Sequence, residues 1–113
     1  NRLFMELVVV DKHDGYGDFP LFKKGTPVAN FKPCASYEYP HWSSWEINGY
    51  ETFIADVYVV SGVLAKDYNP TEMIVDKGKV VTLIDIVFEW LYIKDENDIT
   101  GWIPASKVIS ASR

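Results

Sequence analysis

Residues 101–108 read Gly101-Trp102-Ile103-Pro104-Ala105-Ser106-Lys107-Val108, and this stretch decides the fold. A small residue, an aromatic residue and an isoleucine predict a strand, the next three residues suit a tight 3₁₀ turn, and the valine opens a short last strand. A weaker copy stands at Thr52-Phe53-Ile54-Ala55-Asp56-Val57-Tyr58-Val59. Two such endings in one chain predict two small β domains in tandem.

Further repetition precedes each copy. Lys24-Gly25 and Lys77-Gly78 share a lysine and a glycine, and Val28 and Val81 follow at the same three-residue step. Matching segments at a fixed order are the signature of a duplicated unit. Divergent duplication is the simplest explanation, and fusion of two similar units would leave the same pattern.

The boundary between the domains is predicted at Ser61-Gly62. The first domain then covers residues 1–61, with a long aromatic loop over 32–42 that has no counterpart in the second, and the second covers 62–113. A domain of about 55 residues buries only roughly 60% of its unfolded surface. The two are therefore expected to pack together.

The second domain resembles the SH3 family over about residues 64–109. The resemblance is carried by Asp67-Tyr68 at the end of a strand, by Lys77-Gly78, by Trp90 and by residues 101–104. It implies an all-β chain of two tandem SH3-like five-stranded barrels. It also implies a shallow groove to which Tyr68, Trp90 and Pro104 contribute, the surface on which this family receives proline-rich peptides.

Two groove positions depart from the family pattern. Lys66 and Lys107 stand where tyrosines are usual, and Glu72 is the one acid of a shortened first loop. In the first domain Ala55 replaces the groove proline, although Tyr58 occupies the place of Lys107. Such departures resemble bacterial SH3-like domains, whose ligands vary and some of which belong to cell-wall proteins.

Composition and charge narrow the partners. The 113 residues are 48% hydrophobic and 15% aromatic, and the formal net charge is −5. Nucleic-acid binding relies on a positive footprint, so nucleic acid is not expected, and a basic partner or a neutral ligand is expected instead. No apolar run is long enough to span a bilayer. The sequence is compatible with a cytoplasmic and with a cell-envelope-associated location. It is also compatible with a leader that was removed before Asn1.

Local signals predict strands and turns with no sustained helical period. Asn48-Gly49 predicts a two-residue type I′ hairpin, because both central residues of that turn need positive φ. Trp42 and Trp45 are three apart, so on one strand they face opposite sides. One of the two is therefore predicted to point outward.

Exposed aromatic residues are the predicted ligand-binding groups. Alternatively, each tryptophan could be part of the wall or core of a barrel. The loop 32–42 could likewise fold over the first barrel and bury its own aromatic side chains. The predicted ligand-binding residues are Tyr39, Trp42, Trp45, Tyr68, Trp90, Tyr92 and Pro104.

No catalytic, metal or cofactor site is predicted. Asp11, Asp14 and Asp18 do not follow the ligand spacing of an EF-hand. Cys34, the one cysteine, excludes an intramolecular disulfide, and nothing in the sequence places it beside His13 or His41 as a nucleophile beside its base.

The predicted function is a non-catalytic interaction module that binds a protein or peptide through exposed aromatics and an acidic surface. A module for a cell-wall or cell-envelope polymer is the first alternative. An acidic immunity or antitoxin-like protein and a small hydrolase using Cys34 are the others.

Overall fold

A computed structural model describes residues 5–33 and 39–111 of the chain. The all-β prediction is confirmed, since the described residues form strands and two 3₁₀ turns, Asp56–Tyr58 and Ala105–Lys107, and no α-helix. The strands are β1 (Glu6–Val9), β2 (His13–Tyr16), β3 (Ala29–Pro33), β4 (Trp42–Ile47), β5 (Tyr50–Ala55), β6 (Val59–Val60), β7 (Val63–Leu64), β8 (Glu72–Val75), β9 (Val80–Val87), β10 (Trp90–Lys94), β11 (Thr100–Pro104) and β12 (Val108–Ser110).

The chain forms two compact units whose limits differ from the predicted division at Ser61-Gly62. The discontinuous unit comprises Asn1–Asp18 and Thr71–Arg113, and the inserted unit is Phe19–Pro70. Residues 61 and 62 lie within the inserted unit, where they turn β6 back onto β7. Ser61 and Gly62 both have positive φ, at 52° and 79°. This dipeptide therefore acts as a two-residue hairpin turn of the primed kind, and not as a linker.

The discontinuous unit contains a seven-stranded sheet in the order β12-β1-β9-β10-β11-β8-β2. All neighbours pair antiparallel except β8 and β11, which are parallel at Trp102 and Glu72. Apolar residues that alternate along the strands form one core: Leu7, Val9, Met73, Val75, Val81, Leu91, Ile93 and Ile103. Each fully buried side chain of this size contributes roughly 1.5–3 kcal/mol.

The parallel contact between β8 and β11 depends on a glycine. A Cβ atom built on Gly101 would lie 2.9 Å from the main-chain nitrogen of Met73 and 3.0 Å from its Cα atom. Only a residue without a side chain allows two backbones to approach so closely. Gly101 thereby brings Glu72, on β8, beside Trp102 of β11.

The inserted unit contains a three-stranded antiparallel sheet, β3-β4-β5, and the β6–β7 pair. The predicted Asn48-Gly49 hairpin is confirmed, because both residues have positive φ and join β4 to β5. Isolated bridges connect Phe22 with Tyr68 and Pro27 with Val63.

Candidate ligand-binding face

Cross-strand pairing brings the aromatic residues of β10 and β11 onto one face of the sheet. Trp90 lies opposite Pro104, and Tyr92 lies opposite Trp102. Directly opposed residues point to the same side of a sheet, so these four residues, here called the aromatic strip, share a face. The residues between them, such as Leu91, point to the core instead.

The aromatic strip is partly open to solvent. Trp102 and Pro104 are buried, whereas Trp90 and Tyr92 are partly exposed. The rings of Tyr92 and Trp102 are 5.0 Å apart between centroids. The Tyr92 hydroxyl donates a hydrogen bond of 2.8 Å to Thr100 Oγ1, which fixes the direction of the ring. The strip is therefore a pre-formed surface with two accessible rings.

A polar cluster of His13, Glu72 and Lys107 adjoins the strip. His13 Nε2 is 2.7 Å from Glu72 Oε1, and Lys107 Nζ is 3.1 Å from His13 Nδ1. Lys107 Nζ also donates to the main-chain oxygen of Lys12 at 2.9 Å. The imidazole meets the Trp90 ring edge-on, with centroids 6.0 Å apart and planes at 74°.

The hydrogen bonds define the state of the imidazole. An ammonium group can only donate, so Nδ1 of His13 accepts from Lys107 and Nε2 carries the proton that is donated to Glu72. His13 and Glu72 are only 13% and 22% exposed in their side chains, so water competes weakly for these bonds. The cluster therefore holds the His13 ring at a fixed angle beside Trp90.

Strand pairing explains how residues so distant in sequence meet. β2 pairs antiparallel with β8, with His13 opposite Val75 and Tyr16 opposite Glu72. The second 3₁₀ turn then follows β11 and ends at Lys107. His13 and Lys107 are 94 positions apart, and only the return of β2 to the C-terminal part of the chain joins them.

The predicted site residues divide between the two units. Trp90, Tyr92 and Pro104 come together in the aromatic strip, in the discontinuous unit. Trp42 and Tyr68 belong to the inserted unit, and each is only 5% exposed. These two predicted ligand-binding residues are buried in the structure and do not offer a surface to a ligand.

Tyr68 has a structural role inside the inserted unit. Its hydroxyl donates to the main-chain oxygen of Phe53 at 2.8 Å, and its ring packs edge-to-face on Tyr58 at 5.4 Å. The resemblance had placed Tyr68 in the groove of the second domain. The difference arises because β7, just before it, folds back on β6.

The aromatic loop is described only at its edges. Residues 34–38, which include Cys34, lie outside the described residues. Tyr39 is partly buried, and its main-chain oxygen accepts the N–H of Trp42 at 3.2 Å. Trp45 is partly buried and packs against Phe31, at 5.1 Å between ring centroids. Phe31 itself is 54% exposed and was not predicted as a site residue.

In the sequence the members of the polar cluster stand in separate contexts. Lys107 is a departure from a family tyrosine, Glu72 is the one acid of a shortened loop, and His13 is a candidate only as a base for Cys34. No local signal associates them, because the association depends on β2 pairing with β8.

One carboxylate has a perturbed pKa, in the inserted unit. The main-chain N–H of Lys24 donates to Asp67 at 2.8 Å, and this bond, aided by the Lys23 ammonium at 3.4 Å, lowers the pKa of Asp67. Asp67 is exposed, so the ion pair is screened by solvent. Its role is to hold the Lys23–Gly25 turn.

Comparisons with known proteins identify no relative of the chain. No family model matches the chain, and neither curated protein sequences nor solved structures yield a match. Within residues 5–33 and 39–111, no helix has the length and hydropathy needed to cross a membrane. In the same ranges, no three side chains of His, Cys, Asp or Glu are grouped so that they could hold a metal ion.

Proposed function

We propose that the protein is a non-catalytic interaction module built from two SH3-like units, and that the aromatic strip binds an extended segment of a basic protein partner. In the discontinuous unit the five neighbouring strands β12-β1-β9-β10-β11, with a 3₁₀ turn before the last strand, support an SH3-like unit. In the inserted unit the sequence β3-β4-β5, 3₁₀ turn and β6 supports a second.

The observation that carries the proposal is the pair of accessible rings on β10. Trp90 and Tyr92 are two residues apart on one strand, which places them about 6.6 Å apart along it. Two aligned rings at this spacing suit alternate side chains, i and i+2, of an extended segment, because these lie on one face of it. Trp and Tyr are also the residues enriched where binding energy concentrates.

Charge favours a basic segment. Asp85 lies opposite Tyr92 on β9, and Glu72 lies beside Trp102 on β8, so carboxylates flank the strip on both sides. The whole chain carries a net charge of −5. Complementary charge raises the association rate of a basic partner and is weakened by salt.

The test is selection of binding peptides followed by calorimetry. Extended 12-residue peptides selected on the intact protein should be enriched in Lys and Arg, and Trp90→Ala should weaken their binding tenfold or more, which is about 1.4 kcal/mol. Phe53→Ala removes an aromatic ring that is 51% exposed in the inserted unit and serves as the matched control. Equal loss in both variants, or none in Trp90→Ala, would contradict the proposal.

A cell-envelope polymer is the second candidate, and one depression in the inserted unit favours it. The depression has a volume of about 520 Å³ and is lined by Asn30, Phe31, Lys32, Glu46, Gly49 and Glu51. It combines one exposed aromatic ring with polar side chains, of which Lys32 and Glu51 are 3.4 Å apart. Sedimentation with purified cell walls that is abolished by Phe31→Ala, and unaffected by Trp90→Ala, would favour this candidate over the first.

A further inference from the structure

Each unit contains main-chain hydrogen bonds that have counterparts at corresponding places in the other unit. In the discontinuous unit they run from Val9 N to Lys79 O, Gly78 N to Val9 O, Val10 N to Lys107 O and Ala105 N to Glu89 O. In the inserted unit they run from Leu64 N to Thr26 O, Gly25 N to Leu64 O, Ala65 N to Tyr58 O and Asp56 N to His41 O. Each bond of one set has its counterpart in the other, in the same order.

Strand register extends the correspondence. Val8 pairs with Val80 in the discontinuous unit, as Val63 pairs with Pro27 in the inserted unit. His13 pairs with Val75 as Tyr68 pairs with Phe22. β7 therefore occupies in the inserted unit the place that β1 occupies in the discontinuous unit.

We infer that the two units are copies of one fold that have exchanged their first strands within the chain. β1 opens the N-terminal copy in sequence, but it completes the sheet formed by β9 and β12. β7 opens the C-terminal copy in sequence, but it pairs with β6. The slot between β9 and β12 thus receives a strand that precedes the inserted unit in sequence, and a second copy of this chain can supply the same strand.

Turn and strand lengths explain the exchange. Only Ser61 and Gly62 separate β6 from β7, and both residues form a tight turn. The chain therefore reverses at once, and β7 pairs with β6. β6 and β7 are two residues each, whereas β12 has three and β1 has four. The longer strands pair with each other, and Leu7 and Val9 of β1 then reach the core.

A second copy is the partner that fits this slot. The segment from Glu6 to Tyr16 contacts β8, β9 and β12, all of them in the C-terminal half of the chain. It is joined to the inserted unit through Gly17, which has φ of 84°, and Asp18. Exchange of a terminal segment between identical chains preserves the contacts that this segment makes with its sheet, and it is a low-cost route to a dimer.

Disulfide trapping in the full chain tests both parts of the inference. Val8 and Ile109 are register partners, so cysteines at these positions meet the Cα separation that a disulfide needs. In a Cys34→Ser background, V8C/I109C is expected to close fully within the monomer. V63C/I109C is the matched control, because Val63 would lie beside Ile109 only if each copy kept its own first strand. Closure of the control pair instead would overturn the exchange.

Mixing two single-cysteine chains tests the second copy. Chains carrying V8C alone and I109C alone are refolded together, at micromolar and at millimolar total concentration. The tethered segment competes at an effective concentration of about millimolar, so V8C–I109C linked dimers should appear only in the concentrated sample. A mixture of V63C and I109C chains should give none. Absence of the V8C–I109C dimer at millimolar concentration would overturn the role of a second copy.

Discussion

Replacement of Gly101 by alanine should destabilise the discontinuous unit. The new Cβ atom would stand 2.9 Å from Met73 N, 3.0 Å from Met73 Cα and 3.1 Å from Met73 Cβ. Two of these three atoms are main-chain atoms, so no rotamer change relieves the contact and β8 must move away from β11. Met73 and Ile103 are buried at this place, and separating them opens the core.

The magnitude follows from two opposing terms. Overpacking of a core typically costs about 1–3 kcal/mol. The φ of Gly101 lies outside the left-handed region, so alanine also restricts the unfolded chain, which stabilises by about 0.4–1 kcal/mol. The net loss should be about 1–2 kcal/mol, or a fall in Tm of roughly 5–15 °C for a chain of this size.

Urea unfolding and calorimetry measure the effect, and a second variant identifies its origin. Met73→Ala keeps the main-chain atoms that Cβ would meet, so in the Gly101→Ala background it should not restore stability. Rescue by Met73→Ala would show that the side chain is responsible. An unchanged or higher Tm in Gly101→Ala would refute the close approach of β8 to β11.

Variants at three further positions test separate contacts. Gly15 has φ of 80° and its Cβ position is occupied by an isoleucine of β8, so Gly15→Ala should lower the free energy of unfolding by more than 1 kcal/mol in urea titration. Glu72→Ala removes the acceptor of His13 and should cost about 1 kcal/mol, whereas Glu72→Gln keeps an acceptor oxygen and should cost less. Asp67 accepts the Lys24 N–H with a pKa below its ordinary value of 3.8, so its contribution to stability is full above pH 3.8 and is lost as the pH falls through the folded pKa. The deficit of Asp67→Asn, measured by urea unfolding, should therefore be present at pH 7 and shrink below pH 3.8.

Local patterns predicted the elements that depend on neighbouring residues. The stretch from Gly101 to Val108 forms the end of β11, a 3₁₀ turn and the start of β12, and its weaker copy forms β5, a 3₁₀ turn and β6. The Asn48-Gly49 turn also lies where it was predicted. Backbone preferences and hydrogen bonds a few residues apart decide these features, so the sequence displays them directly.

The partner of a strand is not a local property. The β-branched run that forms β1 predicts a strand, but an alternating pattern serves equally beside β9 or beside β3. The turn at Ser61-Gly62 decides the partner of β1. It pairs β7 with β6, so that β7 and not β1 completes the inserted unit. Ser-Gly is a turn dipeptide, but in the sequence the same dipeptide also fits the boundary between two tandem domains that is predicted there.

The predicted boundary at Ser61-Gly62 also prevents prediction of half of the site. The aromatic strip could be predicted because its residues lie on adjacent strands of one hairpin. The polar cluster needs β2 beside β8, and a division of the chain at residues 61 and 62 places His13 and Glu72 in different domains. His13 and Glu72 are 59 positions apart in the sequence, so their contact is predictable only when the strand order is known.

Corresponding positions in the two copies show how one unit could specialise for binding. Under the strand exchange, His13 and Lys107 occupy the places of Tyr68 and Tyr58, and both tyrosines are buried in the inserted unit. An aromatic pair in one copy thus corresponds to a hydrogen-bonded polar pair in the other. A buried aromatic pair stabilises through its area, whereas the polar pair places the His13 ring against the edge of Trp90.

The tryptophans follow the same division. Trp42 lies opposite Ala55 and is buried, whereas Trp90 lies opposite Pro104 and remains partly exposed. If both copies served as ligand grooves, each would need to keep its tryptophan accessible, and only the discontinuous unit does. Peptide binding by the module should therefore depend on Trp90 and be insensitive to surface changes in the inserted unit, which is why the Phe53→Ala control separates a true groove from general aromatic adhesion.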